Sequence, residues 1–138
     1  MKLSTFEMDK EKENQGVWVE LEGLKLLIAR FGNEGCEKFA LEHELIGKQF
    51  SKGSARALIS SASKAGDKQK DLIIKAISQH VLLDWENLQD DDGKDIPFSE
   101  GKAHEILTKY PEFLSLVLEY ALDVERFRKN KEEELVKN

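Results

Sequence analysis

Leu72-Ile73-Ile74-Lys75-Ala76-Ile77-Ser78-Gln79-His80-Val81-Leu82-Leu83-Asp84-Trp85 is the apolar run on which the fold turns. Drawn at 3.6 residues per turn, Leu72, Ile73, Ile74, Ala76, Ile77, Val81, Leu82 and Trp85 wrap most of a cylinder. That spacing predicts one central, heavily buried helix starting near Asp67 and carrying Trp85 at its far end. Trp85 continues the Val81 face, which predicts a core tryptophan sealing the helix end. The helix is expected to stop at the acidic turn Asp90-Asp91-Asp92-Gly93.

Working outward, Ser99 is placed to cap the next helix, with Glu100 favourable at its positive end. Ile106, Leu107 and Tyr110 give that helix its apolar face, and Pro111 both breaks it and opens another. The last helix offers Phe113, Leu114, Val117, Leu118, Ala121, Val124 and Phe127 at spacings of three or four. Upstream, Val17, Val19 and Leu21 alternate with Trp18, Glu20 and Glu22, the period of a strand with one buried face. Glu22-Gly23 turns the chain and Leu24 to Arg30 returns it as a hairpin, with Trp18 on the face opposite Val17 and Val19. Asn33 and its neighbours cap a helix carrying Cys36, Phe39, Ala40 and His43 on one side. The fold expected is mainly α: a small helical bundle with an N-terminal β-hairpin, helix-dominated in an α+β sense.

The domain expectations are a flexible arm over 1–15, one helical domain over 16–128 and a solvated tail over 129–138. Within the domain, residues 51–66 are expected to be a mobile segment, because Ser, Ala and Gly fill eleven of its sixteen positions. Its only sizeable apolar groups are Leu58 and Ile59, too little burial to offset the entropy of ordering it.

The 138 residues suit one domain. A net charge of −6 opposes general nucleic-acid binding, and no apolar run spans a bilayer. One cysteine, Cys36, forms no internal disulfide, and the first fifteen residues lack the apolar core of a signal peptide. Charge is segregated: residues 84–95 hold six acids against Lys94, while 47–75 hold seven bases against Asp67 and Asp71. Such fields can orient a partner, although charged runs usually mark only solvated faces.

No catalytic constellation emerges. With Gly93 at the sixth position of a calcium loop, Leu88 falls at position one and Ser99 at position twelve, so two main ligands are missing. His43, His80 and His104 lie on three expected helices without metal spacing, and no phosphate-binding glycine motif occurs. Cys36 is the sole nucleophile to consider. No enzyme activity and no cofactor are expected.

The order Gly16-Val17-Trp18-Val19, the strand leaving at Arg30, Trp85, Asp92-Gly93, Ile96-Pro97-Phe98-Ser99 and the closing aromatic-rich helix resembles the tail assembly chaperones of long-tailed, non-contractile, lambda-like phages. The likeness covers residues 16–128. It implies a host-cytoplasmic protein that binds the tape measure protein, helps recruit tail tube protein and is absent from the mature virion. It also implies, for many members, a longer product made by ribosomal frameshifting. Weak homo-oligomers are expected because the hairpin has an unpaired edge and an outward Trp18. The alternative is a small regulatory module binding protein or nucleic acid through 47–75. Candidate partner-binding residues are Leu58 and Ile59 first, then Trp18, with Arg126 and Arg128 at a cationic end; the acidic turn is a further candidate surface.

Overall fold

The computed structural model describes residues 1–43 and 68–129. The hairpin forms as its alternation dictates. β1 (Val17–Leu21) and β2 (Leu24–Ile28) pair antiparallel, with Leu21 opposite Leu24 and Val17 opposite Ile28. Glu22 and Gly23 both take positive φ (51° and 90°), the two-residue turn whose twist matches that of the flanking strands. Asn33 caps α2 (Glu34–Glu42), its side-chain oxygen accepting the Cys36 N–H at 3.0 Å.

The central helix is where sequence and structure part. It runs only from Lys68 to His80 (α3), and Leu82–Glu86 forms a third strand, β3, antiparallel to β2. The sheet order is β1-β2-β3. The expected mainly α bundle is thus corrected to an α+β fold, with helices packed on a three-stranded antiparallel sheet. The misreading has a physical cause. Ile28 pairs with Leu82 but Leu27 pairs with Asp84, so Leu83 is an extra residue on β3, a β-bulge. The bulge turns Leu82 and Trp85, three residues apart, onto the same buried face. A strand with such an insertion imitates helical spacing.

The core lies between the sheet and three helices: α3, α4 (Glu100–Lys109) and α5 (Pro111–Leu122). Val19, Leu26, Ile28, Leu82 and Trp85 supply the sheet side, against Ile74 and Ile77, Ile106 and Leu107, and Leu114, Val117 and Leu118. Ser99 caps α4 by accepting the Lys102 N–H, and Pro111 starts α5, as expected. The final helix is shorter than its spacing suggests. Asp123 ends it and caps a 3-10 turn, Val124–Phe127, that still delivers Phe127 into a fully buried position.

Residues 1–15, expected as a loose arm, are fastened instead. A 3-10 turn at Leu3–Phe6 leads to α1 (Lys10–Gln15), capped by Asp9. The Asp9 N–H donates to the Phe127 carbonyl at 2.8 Å and the Lys129 N–H to Glu7 at 3.0 Å, while Glu13 pairs with Arg30. These are main-chain bonds to the far end of the sequence and one ion pair, which leave no hydrophobic period to read. The segment 51–66 and the tail beyond Lys129 lie outside the described residues.

Candidate functional site

The acidic turn, α4 and the start of α5 enclose an open cleft of about 680 Å³. Its floor is apolar. Leu88 and Ile96 come from the turn, Ile106 from α4, and Phe113 and Leu116 from α5. Its lip is charged, with Asp90, Asp91, Glu105 and Glu112 against Lys102 and Lys109. Tyr110, 52% exposed at the α4–α5 corner, stands at one side with the Lys109 ammonium 5.6 Å from its ring centre.

The wall made by the turn is held from within. The Ile96 N–H donates to the Leu88 carbonyl at 2.7 Å, and Asp90 Oδ1 accepts the N–H groups of Asp92 and Lys94. Trp85 Nε1 donates to the Ile96 carbonyl at 2.6 Å, and Phe98 meets the same indole edge-on at 4.8 Å. The turn is therefore seated on the sheet core. On α4, Lys102 and Glu105 pair at 2.9 Å, and that hydrogen bond holds the Glu105 carboxyl below its ordinary pKa. That pair cancels its own charges, which leaves Asp90, Asp91 and Glu112 against Lys109 on the lip.

Chemically, the lining offers an apolar floor inside a charged lip. Among the described residues its lining contains no histidine, cysteine or serine. It suits an apolar ridge flanked by cations, the profile of an amphipathic helix with basic edges. Among the described residues no group of three or more His, Cys, Asp or Glu is placed to hold a metal ion. Cys36 is fully buried, and burial pushes its thiol up to about 11, so it rests protonated away from solvent.

The residues singled out from sequence fall elsewhere. Leu58 and Ile59 lie outside the described residues. Trp18, 45% exposed, stands on the open face of the sheet beside Glu20, Lys25 and Glu86. Arg126 lies over the Tyr120 ring at 4.6 Å beside Asp123, and Arg128 reaches Glu125 at 2.9 Å with Phe6 close to its guanidinium. Both arginines brace the C-terminal turn, and neither lines the cleft. Of the cleft, the sequence pattern marks only the acidic turn. The available signal was Tyr110-Pro111, a helix corner with Ile106 before it and Phe113 and Leu116 after.

The family model for YdaY prophage protein matches residues 34–138, most of the chain. The chain belongs to that family. It is therefore a protein of phage origin, and the matched range contains α2, β3 and the whole cleft but not the hairpin. No curated protein and no solved structure matches it.

Proposed function

We propose that this YdaY-family protein is a non-enzymatic tail assembly chaperone. It binds the phage tape measure protein in the host cytoplasm, keeps it soluble, helps recruit tail tube protein and leaves before the virion is complete. The observation that carries this reading is the apolar cleft with an acidic lip between the acidic turn and α4–α5. A tape measure protein is a long helical chain whose apolar stripe is exposed until tube protein encloses it. An apolar trough covers part of such a stripe, and the acidic residues of its lip select segments with basic flanks. The small cleft favours release. Stable interfaces bury roughly 1,200–2,000 Å² in total, and a few side chains in a trough fall well short of that.

Co-expression with the tape measure protein of the same phage tests the proposal. The expected result is that the long chain stays soluble and co-purifies with this protein, and precipitates without it. Insolubility in both cases, or solubility in both with no co-purification, contradicts the proposal.

A further inference from the structure

The two edges of the sheet are built differently. On β3, Trp85 is opposite Leu26. A two-residue hairpin makes Leu21 and Leu24 a hydrogen-bonded pair, so by alternation Leu26 bonds toward β1 and Trp85 turns its N–H outward. That outward N–H is taken by Asp84 Oδ1 at 2.8 Å, and Glu86 adds a second charge. This edge is closed by its own side chain.

The β1 edge carries one charge, Glu20, but among the described residues no side chain caps its outward main-chain groups. By the same alternation Trp18 and Glu20 direct their N–H and carbonyl groups outward, and among the described residues β1 pairs only with β2. It carries no lysine, proline or bulge, the usual devices for blocking an edge. Trp18 and Leu21 are 45% and 38% exposed, one on each side of the strand.

We propose that β1 pairs antiparallel with β1 of a second copy about a two-fold axis, joining two three-stranded sheets into one of six strands. The register follows from the residues. An odd offset would set buried Val19 against an outward side chain, so each residue must meet one of its own face. Trp18 opposite itself would need Gly16 to bond with Glu20 of the partner subunit, but the Gly16 N–H is already given to Lys12. Glu20 opposite itself would oppose like charges. The remaining register sets Trp18 against Glu20 of the partner subunit and Val19 against its own counterpart. It bonds all the outward groups of Trp18 and Glu20, brings the two indoles into diagonal contact and lays Leu21 on the partner's Val17. Five residues a side make a weak dimer, independent of the cleft.

Sedimentation of the full chain from micromolar to several hundred micromolar tests this. The weight-average mass is expected to climb from 15.8 kDa toward twice that value. Glu20→Pro removes one outward N–H and spares the bonds to β2, and Trp18→Lys places a cation on the edge. Each is expected to hold the chain as a monomer with an unchanged far-ultraviolet spectrum, and Trp18→Lys decides alone if the proline variant does not fold. Mixing Trp18→Cys and Glu20→Cys chains under mild oxidation is expected to give mainly the mixed disulfide. A strict monomer throughout, self-association unaffected by the folded variants, or mainly Trp18→Cys self-linkage overturns the pairing.

Discussion

Trp85 donates its indole N–H to the carbonyl of Ile96 at 2.6 Å, and that bond couples the sheet core to the wall of the cleft. Trp85→Phe keeps most of the apolar volume but strands a carbonyl. The expected cost is about 1–3 kcal/mol in urea unfolding. Amide exchange across Leu88–Ile96 should quicken by more than global unfolding accounts for, and uniform exchange with unchanged stability would refute the coupling.

Asn33 is the second joint. Its Oδ1 caps α2 at Cys36, and its Nδ2 donates to the His80 carbonyl at 2.8 Å and to Glu13 at 3.3 Å, gathering α1, α2 and the end of α3. Asn33→Ala loses a cap and leaves polar main-chain groups buried, so a loss of about 2–4 kcal/mol is expected. Asn33→Ser keeps a capping oxygen without the two donors and should fall between the native chain and Asn33→Ala. Equal denaturation midpoints for Ser and Ala would show that the cap contributes nothing.

His80 sets a pH dependence. Burial lowers its pKa, outweighing the opposing pull of Glu100 and Glu42. The unfolded chain therefore takes up a proton first as pH falls. This contribution to stability is fully present above the unfolded value of about 6.5 and declines as pH drops through it toward the lower folded value. Thermal midpoints measured from pH 7.5 to 5.5 should fall for the native chain and fall less for His80→Gln. Parallel curves would place the titrating group elsewhere.

Cys36 should be unreactive. A buried thiol with its pKa near 11 exposes almost no thiolate at pH 8. An alkylating reagent is expected to modify it only at the rate of unfolding and quickly in denaturant. Fast modification of the folded protein would show a reachable thiol and reopen a nucleophilic role.

Local chemistry was legible in the chain. The Val17–Leu21 alternation, the Glu22-Gly23 turn, the Asn33 and Ser99 caps and the Pro111 start are each set by a few adjacent residues, and each appears in the structure. Long-range partnerships were not. β3 was hidden because one inserted residue, Leu83, gives a strand the buried spacing of a helix, and only pairing with β2 reveals it. α1 was hidden because Asp9 and Glu7 bond to main chain about 120 residues away. The cleft was hidden for a related reason: Leu88, Ile106 and Leu116 look like ordinary core positions until the turn is seen folding beside the helix corner.

The proposed function has the acid-lipped cleft hold a helical stretch of the tape measure protein. Calorimetric titration of the whole protein with overlapping tape measure segments tests it most directly, comparing the native chain with Asp91→Lys/Glu112→Lys. Both positions are exposed, and both lie on the lip of the cleft. An amphipathic, basic-flanked segment is expected to bind, and the double reversal to weaken it by about tenfold or more, some 1.4 kcal/mol, with the protein still folded and its thermal midpoint lowered only by the loss of Glu112 from the first turn of α5. Equal affinity for both proteins, or binding by none of the segments, would contradict it.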